Sequence, residues 1–137
     1  MRYSFNCAAE FAARRQSMRR VLAEWAPLYA ERLFIALNEA VNNAYLHGCR
    51  PSNQVVEVEI ERTATEIWLR ISHCGTGINL SDAARTLPAD ELDDHGRGLA
   101  IMRFCTDSLV YDDSGKKLIM RKSLMPAAGN KIGKGLC

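Results

Sequence analysis

The chain has no apolar run near the roughly 18 to 20 residues that a bilayer-spanning helix needs. After Met1 and Arg2 the sequence alternates at once (Tyr3, Ser4, Phe5, Asn6), without the apolar centre of a secretory signal. Charge of one sign is also missing. The 18 Lys and Arg stand against 16 Asp and Glu, a net charge of +2, which is too balanced for nucleic-acid binding driven by counterion release. Cysteine pairs are absent: Cys7, Cys49, Cys74, Cys105 and Cys137 stand singly with no CxxC, and the odd number argues against a disulfide framework. Cys74 beside His73 has no second pair at ligand spacing, so zinc is not indicated. There is no internal repeat. These absences leave the expectation of a cytoplasmic protein that touches neither nucleic acid nor membrane. Its thiols should be reduced and serve mostly as small hydrophobic core residues.

A length of 137 residues, 47% hydrophobic and 25% charged, suits one domain able to bury about two-thirds of its unfolded surface. That domain should cover residues 1–125, and the glycine- and lysine-containing segment 126–137 reads as a disordered tail. Alternation in Arg2 to Cys7 predicts a short strand. Ala8 to Trp25 has helical composition and stops before Pro27. A second helix is expected from Tyr29 to Leu46, with the stripe Leu33, Phe34, Leu37, Val41, Ala44 inward and Gly48 as its left-handed C-cap. Val55 to Glu61 and the segment around Ile67, Leu69 and Ile71 alternate as a hairpin. A short helix over 80–86, an acidic segment over 87–95 and a helix Leu99 to Phe104 come next. Strands over 108–111 and 117–122 close the chain. This order favours an α+β fold: a two-layer α/β sandwich whose mostly antiparallel mixed sheet carries helices on one face.

Three groups of residues point to chemistry. On the second helix Glu39, Asn43 and His47 are spaced i, i+4, i+8 and should form one polar line at the edge of the apolar stripe. A carboxylate and a carboxamide one turn apart offer a proton acceptor and an oxygen ligand for a hard cation, although such spacing alone also describes a solvated face. Gly75-Thr76-Gly77 follows a strand, where glycine lets backbone approach a ligand closely. Gly96-Arg97-Gly98-Leu99 opens a helix, where backbone N–H groups and the helix dipole favour an anion and a guanidinium suits phosphate oxygens. Arg14, Arg15, Arg19 and Arg20 spread round the first helix, as a solvated face or as charges that steer an acidic partner.

The string Glu39-Ala40-Val41-Asn42-Asn43-Ala44-Tyr45-Leu46-His47-Gly48 closely resembles the N-box of the GHKL superfamily (the Bergerat fold). Gly75-Thr76-Gly77 takes the place of that family's D-x-G-x-G box, and Gly96-Arg97-Gly98-Leu99-Ala100-Ile101-Met102 resembles its second glycine box. The three stand in the family's order, and the likeness covers residues 2 to 123. It implies ATP and Mg²⁺ as cofactors, with Glu39 as general base, Asn43 as Mg²⁺ ligand and His47 completing the box. His73, Gly75 and Gly77 would form the adenine end, Gly96, Arg97, Gly98 and Leu99 the phosphate end, and the segment 87–95 the lid. His73 departs from the pattern, because the family has an aspartate there that accepts from the adenine amino group. A neutral imidazole accepts through one ring nitrogen without the carboxylate's charge.

Within the superfamily, Glu39 favours a hydroxyl nucleophile that needs a base over the imidazole acceptor of histidine kinases. The resemblance therefore implies a small bacterial protein serine/threonine kinase that doubles as an anti-sigma factor. Its partners would be an anti-sigma-factor antagonist of the STAS type and a sigma factor, with a possible homodimer. The alternative is a degenerate GHKL module that binds a partner without ATP turnover; a histidine-kinase fragment, a third reading, is disfavoured by Glu39.

Overall fold

A computed structural model describes residues 1–49, 53–74, 94–112 and 115–125. The elements are β1 (Arg2–Phe5), α1 (Ala8–Trp25), α2 (Ala30–Asn43), a π-helical turn (Ala44–Gly48), β2 (Val56–Arg62), β3 (Glu66–His73), α3 (Asp94–Cys105), β4 (Ser108–Asp112) and β5 (Lys117–Ser123). The five strands form one sheet in the order β1-β2-β3-β5-β4, and each of its pairings is antiparallel. The fold is the α+β two-layer sandwich that the element order predicts, and its mostly antiparallel sheet is antiparallel at every described pairing.

Strand alternation decides which side chains meet the helices. The register aligns Tyr3, Val58, Ile71, Leu118 and Tyr111 in one row across all five strands. A second row on the same face runs Phe5, Val56, His73. Phe11, Met18 and Leu22 of α1, Leu33, Leu37 and Val41 of α2, and Leu99 and Met102 of α3 pack against this face as one core. Each fully buried side chain of this size contributes about 1.5 to 3 kcal/mol. The opposite face carries alternating charges. Arg70 lies 2.8 Å from Glu61, and Arg121 lies 2.8 Å from Glu66. Such partly exposed pairs contribute little, roughly 0 to 1 kcal/mol each. They hold register more than they hold the fold.

Several expectations need correction. α2 ends at Asn43 and passes into the π-helical turn, so Gly48 is not a left-handed cap; among the described residues Gly115 is the glycine with positive φ, at 87°. α3 starts at Asp94, which places Gly96 and Gly98 inside a helix rather than in a loop before it. Each helical glycine costs about 1 kcal/mol relative to alanine, and that propensity argued for a loop. Burial of Leu99 and Met102 outweighs it. Among the described cysteines only Cys105 is buried; Cys7 and Cys49 are half-buried and Cys74 is exposed. The segments 75–93 and 126–137, which hold the expected short helix, most of the acidic lid and the tail, lie outside the described residues. No described helix is long and apolar enough to cross a membrane.

Candidate functional site

The site is built where the C-terminal half of α2 meets α3 over the sheet. Ala40 and Ala44 are buried, and their small side chains let α2 approach the inner row closely. Asn43 lies between them and is 4% exposed, while Glu39, one turn earlier, is half-buried. α3 brings Gly98 against both. A Cβ placed on Gly98 would lie 3.0 Å from Glu39 Oε1 and 3.3 Å from each of Asn43 Oδ1 and Nδ2. A carboxylate and a carboxamide thus converge on a helical position that carries no side chain. Asn43 Nδ2 is buried and has no hydrogen-bond partner among the described residues. A native buried amide group of this kind normally finds one, while the carboxylate and carboxamide oxygens beside Gly98 are a donor set that suits a hard cation.

His47 leaves the line. A π-helical turn spends more residues per revolution than an α-helix, so the step from Asn43 to His47 falls short of a full turn and leaves His47 exposed. Arg97 is exposed on α3 next to Gly98. Leu99 sends its side chain into the core, 1% exposed, so only its backbone can serve the site. Gly96 sits in the opening of α3, and Gly75 and Gly77 lie outside the described residues.

The other end is shaped by His73, at the end of β3. Its inward register and the loss of strand beyond it turn the imidazole onto Gly48, so that a Cβ on Gly48 would collide with ring atoms Nε2, Cε1 and Cδ2. Only glycine fits there. His73 is 6% exposed; burial holds its pKa below the usual histidine value, the Lys116 charge lowers it further, and a hydrogen bond with the Gly115 backbone works in the opposite sense. The ring is therefore neutral at pH 7. Beneath it Ala40, Ala44, Ile71, His73, Tyr111, Gly115 and Leu118 enclose a cavity of about 10 Å³, which is close to the smallest space that holds one water.

Two residues of this region escaped the sequence reading. Tyr111 lies on the inner face of β4, and burial pushes its pKa up to about 12 against the lowering effects of Arg103 and of Asn43. Its hydroxyl, like Asn43 Nδ2, has no fully formed hydrogen bond among the described residues. The two groups are near enough for the amide to act on the phenol, short of hydrogen-bond geometry. Tyr45, in the π-helical turn, also has its pKa raised to about 12, by burial first and then by Cys49, Cys7 and Glu10. Inward alternation with Leu109 was the one signal in the sequence that could have marked Tyr111.

Comparison with known proteins places the stretch that holds these residues in a family. Residues 7–122 match the histidine kinase-like ATPase domain, and the chain belongs to that family. Among its curated relatives is the protein called anti-sigma F factor of Clostridium kluyveri, in the strains ATCC 8527 / DSM 555 and NBRC 12016. Each is 32% identical over 93 residues, which cover 64% of this chain. The match spans 66% of the relatives' own length, just under two-thirds.

Proposed function

We propose that this chain is an ATP- and Mg²⁺-dependent protein serine/threonine kinase acting as an anti-sigma factor, which phosphorylates an antagonist protein and sequesters a sigma factor. The convergence of Glu39 and Asn43 on Gly98 carries the reading. Membership of the ATPase family and the likeness to proteins called anti-sigma F factor support it. Bound ATP supplies the phosphoryl group and Mg²⁺ offsets its charge. Asn43 would hold the metal through its carboxamide oxygen. Glu39 would accept the proton of the attacking serine hydroxyl as transfer proceeds. The missing side chain at Gly98 lets the reacting group sit against both, and the start of α3 adds backbone N–H groups for phosphate oxygens. Steering of an acidic partner by α1 rests on fewer charges than expected. Arg19 makes a two-bond contact to Glu31 at 2.8 and 2.9 Å, and Arg14 lies over the Tyr3 ring.

Phosphorylation of a candidate antagonist from radiolabelled ATP tests the proposal. Glu39→Ala should lower transfer by about 10² or more while ATP binding stays within a few-fold. Equal rates for the two proteins would remove Glu39 from the mechanism. A second reading, a partner-binding module without ATP turnover, is favoured by one observation: His73 packs onto Gly48 where the resemblance puts the base. Absence of ATP binding at millimolar nucleotide, together with tight partner binding, would establish that reading instead.

A further inference from the structure

We propose that Tyr111 sets the orientation of the Asn43 carboxamide, its phenol oxygen taking the Nδ2–H so that Oδ1 is presented on the side of Gly98. The inference rests on the reading of Asn43 as a metal ligand and adds the residue that makes it one. A carboxamide has two orientations about its last bond, nearly equal in shape and opposite in chemistry. One offers a cation an oxygen; the other offers it two N–H donors. On the Gly98 side distance does not select between them, because Oδ1 and Nδ2 are each 3.3 Å from the place a Cβ would take, and the Glu39 carboxylate at 3.0 Å from the same place would by itself favour the N–H groups. The selection has to come from another direction.

Tyr111 supplies it. Cross-strand pairing puts Tyr111 beside Leu118 in the inner row, and the ring lines the small cavity together with Ala40 and Ala44, the residues that flank Asn43 on its own helix. Asn43 Nδ2 and the Tyr111 hydroxyl are both buried and both lack a formed hydrogen bond among the described residues. They are complementary, one a donor and the other able to accept. A buried polar group left unsatisfied is strongly disfavoured, so the two close on each other. Tyr111 is then a positioning residue, acting on the metal through Asn43. Groups that orient a metal ligand typically contribute about 10- to 100-fold in affinity.

The experiment measures ATP binding by calorimetry with and without Mg²⁺, on the full chain. Tyr111→Phe should weaken Mg²⁺-dependent binding by about tenfold or more and leave Mg²⁺-free binding within about twofold. In an Asn43→Asp background, whose two oxygens are equivalent ligands, the same substitution should change the Mg²⁺-dependent part by less than about threefold. Equal losses in the two backgrounds would overturn the proposal. A second measurement needs no ligand: the side-chain amide ¹⁵N and ¹H resonances of Asn43 should move on Tyr111→Phe, and unmoved resonances overturn it equally. If wild type shows no Mg²⁺-dependent nucleotide binding, the kinase reading fails, and the amide resonances alone decide whether Tyr111 orients Asn43.

Discussion

The two ends of the candidate site use glycine in opposite ways. At Gly98 two polar side chains on another helix lie 3.0 to 3.3 Å from where a Cβ would stand, close but short of collision. At Gly48 the room left by the missing side chain is already filled by the chain's own imidazole, which is almost fully buried. The same substitution to alanine would therefore do different things at the two places. On the proposed reading, Asn43 and Gly98 would keep the metal and phosphate end of the family's pattern and His73 would alter the base end, so recognition should rest more on the triphosphate and its metal than on the adenine.

That contrast is broken most directly by Gly98→Ala. A methyl group there takes the place of whatever Glu39 and Asn43 hold, and a misfit of one carbon in a tight site costs about 10- to 200-fold. Calorimetry with Mg²⁺-ATP should register this loss. Thermal stability should hardly change, because alanine gains about 1 kcal/mol in a helix interior against a contact that needs only a small adjustment. Gly48→Ala should do the reverse. The His73 ring cannot stay where it is, and overpacking of this kind costs about 1 to 3 kcal/mol, read as a lowered midpoint in urea or heat. Loss of Mg²⁺-ATP binding from Gly48→Ala with unchanged stability would erase the distinction between the two ends.

Much of the frame was legible because it rests on periodicity. Alternation in Tyr3 and Phe5, in Val56, Val58 and Ile60, and in Ile67, Leu69 and Ile71 set the inward face of three strands, and the stripe on α2 set its partner. The literal string from Glu39 to Gly48 located the site. What could not be read depended on contacts between segments far apart in the chain. The π-helical turn has no composition signal, so the exit of His47 from the line was invisible. Helix propensity placed Gly96 and Gly98 in a loop, whereas burial of the residues after them draws them into α3. The clash between Gly48 and His73 joins positions 25 residues apart that have no periodic relation. Tyr111 looked like one more strand aromatic until α2 was laid over it.

The base end can also be restored rather than broken. His73→Asp would replace a neutral acceptor by a charged one and relieve the packing on Gly48. Charge-assisted hydrogen bonds are worth roughly 1.5 to 3 kcal/mol against about 1 for neutral ones. ATP affinity should therefore rise by about 3- to 30-fold, measured by fluorescence titration with a labelled nucleotide. A weaker affinity would mean that the base does not reach residue 73. It would also move the whole ligand toward Gly98.

The smallest expected effect is in the pH dependence of stability, and its sign follows from burial. The folded-state pKa of His73 is held below its ordinary value of 6.5, chiefly by desolvation and then by Lys116. The unfolded chain therefore takes up a proton that the folded chain refuses. The contribution of the neutral ring is complete above about pH 6.5 and is lost as pH falls from there toward the lower folded value. Asp107 titrates in a separate window. Burial alone would raise its pKa, but the Ser123 N–H at 2.7 Å and the neighbouring Lys122 and Arg121 outweigh that and hold it below 3.8. Its contribution is present above that range and lost only in stronger acid. Between pH 7.5 and 5.5 the midpoint of thermal unfolding should thus fall for wild type and fall less for His73→Gln, while Asp107→Asn leaves the slope unchanged. Identical slopes for wild type and His73→Gln would mean that the ring on Gly48 is free to take a proton, and the base end would then be open to solvent and to a ligand.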